Sequence, residues 1–233
     1  MPTAILIDGG FALHRLRHID PKLDRLDPAA VANALSRIAR GHLSGFGAPA
    51  RALYRIFFYD CPPLTKKAHL PVSGRPIDFA RTPQSRFRAA LHDALRCQRK
   101  MALRLGHLTE HGGWLLRPDR QRALLRGDLT WAALTDDDFA YDVRQKGVDM
   151  RIGVDIASLA YKRQVDQIVL VAGDADFVPA AKLARREGID VILDPMGQGI
   201  DAALNEHIDG LRSSRRPRPA AAPDPDSSEP LPF

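Results

Sequence analysis

Ile168-Val-Leu-Val-Ala-Gly173-Asp174-Ala-Asp176-Phe-Val-Pro179 decides how the chain is read. Five apolar residues run unbroken from Ile168 to Ala172, which predicts a short strand buried on both faces of a parallel sheet. Gly173 ends the strand. Asp174 and Asp176 follow with one small residue between them, and Pro179 suits the first turn of a helix, where its missing N–H costs nothing. Open α/β sheets gather their ligands at the carboxyl ends of the strands, so two acids stand where a site is expected. The plainer reading is helix capping, because Asp at a strand-to-helix turn often only satisfies free N–H groups. The rest of the chain weighs against capping alone.

Working outward, the same pattern recurs. Ala4-Ile-Leu-Ile7 is the core of a first strand and ends at Asp8-Gly9-Gly10. Arg51–Tyr59 is a second strand rich in aromatics, closed by Asp60-Cys61-Pro62-Pro63; the stiff loop that follows makes Asp60 mainly structural. Asp27-Pro28 is a cap and first-turn pair for a helix with Val31, Leu35 and Ile38 on one face, ending near Gly41–Gly47. Pro83–Gln98 reads as a helix with Phe87, Leu91 and Leu95 on one face. Lys66–Arg81 reads as a loop, and Met101–Leu108 with Trp114–Arg117 as two strands joined by a turn through Glu110–Gly113. A helix starts after Gln145–Asp149 and runs to about Tyr161. Asp149 lies in its first turn, where the helix dipole favours an anion, and Asp155 lies about 120° further round. Ala180–Gly188 is a helix, and Ile189–Leu193 is a strand ending at Asp194. Strands alternating with helices predict an α/β fold, a mostly parallel central sheet sandwiched by helices, with a small β-hairpin/helix insertion. We expect one domain over residues 1–210, a basic insertion around 64–135, and a disordered tail over 213–233, where there is little to bury.

Composition narrows the function. The 233 residues are 45% hydrophobic, enough for a real core, and no apolar run approaches the roughly 20 residues of a membrane span. The first residues lack a basic leader and a long apolar segment, so they read as strand rather than signal peptide. Cys61 and Cys97 have no metal-type spacing, and a reduced, cytoplasmic protein is the simplest expectation. Between Lys66 and Arg126 stand 14 Lys and Arg against four acids, while the chain as a whole carries only +6. The basic charge is therefore concentrated in the middle segment, which suits a polyanionic partner, although charge runs often serve only solubility.

In a parallel sheet Asp8, Asp174 and Asp176 meet along one edge, and Asp149 can reach in from its helix. Carboxylates so crowded do not all ionise cheaply, and a divalent cation relieves the repulsion. Oxygen ligands without His or Cys select Mg²⁺ or Mn²⁺ over zinc. Such a centre suits phosphodiester hydrolysis, because metal lowers the pKa of bound water and neutralises charge on the phosphate. The chain has no Gly-x-Ser-x-Gly elbow, phosphate loop or dinucleotide fingerprint.

Read together, Ile-Leu-Ile-Asp8-Gly9-Gly10, Lys146-Gly147-Val148-Asp149, Val-Ala-Gly173-Asp174-Ala-Asp176-Phe-Val-Pro179 and Arg186-Glu-Gly188-Ile-Asp-Val191 resemble the NYN domain, a branch of the PIN-like nuclease superfamily that includes the bacterial LabA-like (DUF88) proteins. The resemblance spans about residues 1–210. It implies a PIN-like sheet and a metal-dependent ribonuclease acting on single-stranded or structured RNA. By motif position Asp8, Asp149, Asp174 and Asp176 are its catalytic, metal-holding acids, with Asp155 at a less closely matched acidic position. Gly10 stands where many members have Asn, and Ala175 where Ser is common. Lys146, Arg86, Arg88 and Arg96 are the candidate substrate contacts. Two other readings stay open: a non-catalytic or weakly active nucleic-acid-binding regulatory module, and a metal hydrolase of small phosphates. No membrane partner is expected, and a homodimer is compatible with the sequence.

Overall fold

The computed structural model describes residues 2–24, 26–44 and 52–213. The tail expectation falls almost wholly on 214–233, outside the described residues, as does the end of the Gly41–Gly47 stretch.

Six parallel strands form the central sheet. In chain order they are β1 (Thr3–Asp8), β2 (Leu53–Asp60), β5 (Met101–Leu105), β8 (Gln167–Val171), β9 (Asp190–Asp194) and β10 (Gly210–Leu211). Their spatial order is β10-β9-β8-β1-β2-β5. The chain thus starts in the middle, builds outward to one edge, returns to the centre and builds outward to the other. Right-handed crossovers then put the helices of the two halves on opposite faces. One face carries α1 (Gly9–Ile19), α2 (Pro28–Gly41) and α3 (Pro83–Arg96), with Leu16, Leu35, Leu91 and Leu95 packed on Ile5, Ile7, Ile56 and Phe58. The other carries α5 (Val148–Tyr161), α6 (Val178–Arg186) and α7 (Ala202–Glu206), with Ile152, Ile156 and Ala181 packed on Leu6, Ile168 and Leu170.

Strand β8 is buried throughout, as its unbroken apolar run requires. Side chains alternate between faces, so Ile168 and Leu170 serve one core while Val169 and Val171 serve the other. Each such side chain stabilises by roughly 1.5–3 kcal/mol when withdrawn from water. The helix starts follow local chemistry: Asp27 caps α2 by accepting from Ala29 N at 2.8 Å, with Pro28 in the first turn, and Pro179 occupies the first turn of α6.

Beside this sheet sit two antiparallel pairs. One joins β3 (Lys67–His69) to β4 (Pro76–Asp78), within a stretch expected to be loop. The other joins β6 (His107–Leu116) to β7 (Phe139–Lys146), with α4 (Pro118–Arg126) between them. The hairpin is therefore not the one expected. Met101–Leu105 joins the main sheet beside β2, and His107–Leu116 is a single strand that runs through Gly112 and Gly113. Those glycines, with φ of 117° and 123°, sit where the register slips between Glu110 and Trp114: a bulge, not a turn. Helix α3, within the stretch expected as a basic insertion, packs on α2 and β5 against the sheet.

Candidate metal centre at the sheet's switch point

Between β1 and β8 the winding direction reverses, and their carboxyl ends open a crevice, the position at which doubly wound sheets bind ligands. The two strands are in register from Thr3 with Gln167 to Ile7 with Val171. Asp8 is the next residue of one strand, and Ala172-Gly173-Asp174 continues the other.

Glycines let these backbones approach. A Cβ on Gly9 would lie 2.5 Å from the Tyr59 carbonyl oxygen and 2.7 Å from the Phe58 ring. One on Gly173 would lie 2.5 Å from the ring of Phe11, in the first turn of α1. By contrast, a Cβ on Gly10 would meet only Asp8 Oδ1, at 3.5 Å.

Asp8 is half-buried and caps α1, one oxygen accepting from Phe11 N at 3.2 Å. Burial pushes its pKa up, the Phe11 N–H opposes that, and the charge of Asp149 pushes it up further. Asp149 stands in the first turn of α5, whose N-cap Gly147 has φ 76°. Its pKa is also raised, first by withdrawal from solvent and then by Asp174 and Asp176. Asp174 accepts from Asp176 N at 3.0 Å and so opens a 3-10 turn over Ala175–Phe177, leading directly into α6. Capping is thus real, but it engages one Asp174 oxygen and does not involve the Asp176 carboxylate. Asp149 acts electrostatically on Asp8 and is acted on by Asp174 and Asp176, and among the described residues none of the four forms an ion pair with a base.

The flanking strand-end acids differ. Asp60, at the end of β2, is fully buried; it receives the Arg88 guanidinium and lies 2.7 Å from His92 Nε2. Burial alone would raise its pKa, but the His92 and Arg88 bonds outweigh burial and hold it below the usual range. Asp194, at the end of β9, is equally buried; it lies 2.8 Å from His42 Nε2 and accepts from Met196 N at 2.7 Å. Each outer acid is answered by a histidine of the α1–α3 face. The central acids are not.

Asp155 belongs with neither group. Its Oδ2 accepts from Tyr59 Oη at 2.8 Å and from Arg104 Nε at 3.1 Å. Burial first, and then the Asp155 charge, drives the Tyr59 phenol pKa upward. Among the candidate substrate contacts, Arg88 is committed to Asp60 and Arg96 to Asp93. Arg86 and Lys146 are exposed, with no ion-pair partner among the described residues. The residues that sequence reasoning missed are His42 and His92; only proximity in space marks them.

Among the described residues, no three His, Cys, Asp or Glu side chains already converge closely enough to grip a metal ion. The donor chemistry nevertheless fits a hard cation: carboxylate oxygens only, raised pKa values in two of them, and no base among the described residues paired with them. Cys61 and Cys97 are both free thiols, and among the described residues no helix is long and apolar enough to cross a membrane.

A model of the NYN domain family matches residues 128–203, about a third of the chain. That stretch is similar to an NYN domain and carries Asp149, Asp155, Asp174 and Asp176; Asp8 lies outside it. No curated protein and no solved structure matches the chain. The parallel sheet flanked by helices on both sides is consistent with the PIN-like NYN fold.

Proposed function

We propose that the protein is a metal-dependent ribonuclease that hydrolyses RNA phosphodiester bonds at the switch point, and that it belongs with the LabA-like branch of NYN proteins. One observation carries this reading. Of the strand-end acids, the outer two lie within hydrogen-bond distance of buried histidines, and Asp60 also pairs with Arg88, whereas Asp8 and its neighbours Asp149, Asp174 and Asp176 have no basic partner among the described residues. Accumulated negative charge is costly to a fold, and a site that keeps it is suited to a divalent cation. Asp8, Asp149, Asp174 and Asp176 would hold Mg²⁺ or Mn²⁺. The metal supplies an activated water and neutralises charge on the scissile phosphate. Asp8 and Asp174 are fixed by their cap hydrogen bonds, which limits the reorganisation needed to bind it. Exposed Arg86 and Lys146 would hold the substrate backbone through its phosphates. Asp155, tied to Tyr59 and Arg104, supports the wall of the site instead.

The test is cleavage of a panel of single-stranded, hairpin and duplex RNAs by purified protein, with Mg²⁺, with Mn²⁺ and with chelator. Metal-dependent cleavage that disappears in Asp174→Asn, with the fold intact by circular dichroism, supports the reading. RNA binding that persists in chelator without any cleavage would instead mark a non-catalytic binding module, the reading left open by Gly10 and Ala175.

A further inference from the structure

A second feature opens at the same end of the sheet. Between the two antiparallel strand pairs and the start of α3 lies a groove of about 630 Å³, within the range of organic-ligand sites. Its floor is the β2 exit loop, Cys61–Leu64, with Arg88 beside it. Its walls carry Phe79, Trp114 and Tyr141, all half-buried. Trp114 meets Tyr141 edge to face at 5.3 Å and 82°, and Phe79 meets Tyr141 tilted by 49° at 5.0 Å. Trp114 Nε1 donates to His69 O at 2.8 Å, which fixes the indole between the two strand pairs. Lys66 lies 5.5 Å from the centre of the Tyr141 ring and pairs with Glu110. Arg75 and Arg117 stand at the rim together with Asp136 and Asp137; Arg75 lies 3.7 Å from Asp136, and Arg117 Nε donates to the Asp137 carbonyl at 2.9 Å.

The lining of the groove reaches neighbours of the central acids. Arg88 is bonded to Asp60, which follows the β2 residue paired with Asp8, and the Asp60 charge acts on Asp8. Gln145, on the opposite wall, lies four residues before Asp149. Polymer bound across the carboxylates would therefore continue into a slot with aromatic walls and arginines at its rim.

We propose that this groove takes unpaired bases of single-stranded RNA whose backbone crosses the acidic crevice; this deepens, and rests on, the nuclease reading above. Single-stranded nucleic acids are held by aromatic faces combined with positive charge along the backbone. A duplex does not fit such a slot, because its bases are already stacked and its edges point into grooves. Charge favours RNA over a peptide: the segment from Lys66 to Arg126 carries 14 Lys and Arg against four acids. Phe79 and Trp114 lie outside residues 128–203, the stretch similar to an NYN domain, and Tyr141 lies within it.

The experiment measures binding in chelator, so that its outcome is independent of cleavage. The probe is a labelled oligouridylate, read by anisotropy, with a duplex RNA of equal length as competitor. A parallel series follows Trp114 fluorescence in a Trp131→Phe background, since Trp131 is 74% exposed and would otherwise dominate the signal. The expected results are quenching of Trp114 by the single strand, affinity about tenfold lower in Trp114→Leu, and near-normal affinity in Trp114→Phe, in line with the loss of one base–aromatic stack. Where Trp114→Leu fails to fold, the quenching and the duplex competition carry the test. Unquenched Trp114, equal affinity of Trp114→Leu and wild type, or equal competition by duplex would overturn the groove while leaving any metal-dependent cleavage to stand. Binding with quenching but no cleavage with metal would uphold the groove and remove the nuclease reading.

Discussion

His92 Nε2 lies 2.7 Å from Asp60 Oδ2, and Asp60 has no exposed surface. With its pKa held down by that contact and by Arg88, Asp60 is a carboxylate and only accepts, so Nε2 carries the proton. A buried, balanced acid thus stands one strand away from Asp8, which lacks such balance. Under the proposed function, this difference separates scaffold from site along the sheet edge.

Removing that balance should unfold rather than inactivate. Asp60→Asn leaves Arg88 and His92 facing a neutral group inside the protein, and breaking a buried pair costs about 3 kcal/mol. Asp174→Asn, at an exposed position, should change stability by under about 1 kcal/mol. Urea denaturation of both variants checks the contrast. The pH dependence has a definite sign. A carboxyl pKa depressed by folding gives stability that is present above the unfolded aspartate value, about 3.9, and lost as pH falls through the lower folded value. Wild type should therefore converge on Asp60→Asn at strongly acidic pH.

Asp8 predicts the opposite. A carboxyl whose pKa is raised by folding weakens the ionised folded state, so stability is gained as pH falls through the raised value. Asn keeps the cap to Phe11 N. In chelator at neutral pH, Asp8→Asn should melt at or above the wild-type temperature, and the gap should close on acidification. Mn²⁺ should raise the wild-type melting temperature and leave the variant unmoved, because only the binding-competent folded state gains from ligand. Differential scanning fluorimetry across pH, with and without Mn²⁺, reads both effects.

Gly9 and Gly173 both sit against neighbours, but against different kinds. An added methyl at Gly9 meets a backbone carbonyl and the buried Phe58 ring; at Gly173 it meets only side-chain atoms of the partly exposed Phe11 ring. Gly9→Ala should cost about 1–3 kcal/mol, as overpacking does. Gly173→Ala should cost less. Chemical denaturation ranks the two.

The candidate phosphate contacts should separate by their present partners. Arg86→Glu and Lys146→Glu should weaken RNA binding for every sequence and lower the salt slope by roughly one unit per lost contact. Arg96→Glu, which breaks only an exposed pair with Asp93, should do less. Anisotropy titrations over a salt series distinguish them.

Much of this architecture was legible in the chain. An unbroken apolar run followed by Gly and Asp marked β1 and β8, and Pro179 marked the start of α6. The basic middle was harder, for identifiable reasons. Gly112-Gly113 has turn chemistry but is used as a bulge, so one long strand read as two. Phe139, Tyr141 and Val143 alternate as a one-sided strand should, yet the three acids before them masked the signal for β7. Asp8, Asp60 and Asp194 look alike in sequence, since each ends an apolar strand. What distinguishes them is a histidine 32 residues from Asp60 and another 152 residues from Asp194, a relation created only by folding.

The most direct test of the central claim is a Mn²⁺ titration, followed by calorimetry or by the electron paramagnetic resonance of the free ion, on wild type, Asp8→Asn, Asp149→Asn and Asp174→Asn. The account predicts saturable binding to wild type and a large loss of affinity in each variant, with Asp60 and its histidine untouched in all of them. Affinity for Mn²⁺ that is the same in all four proteins, or no binding to any, would contradict it.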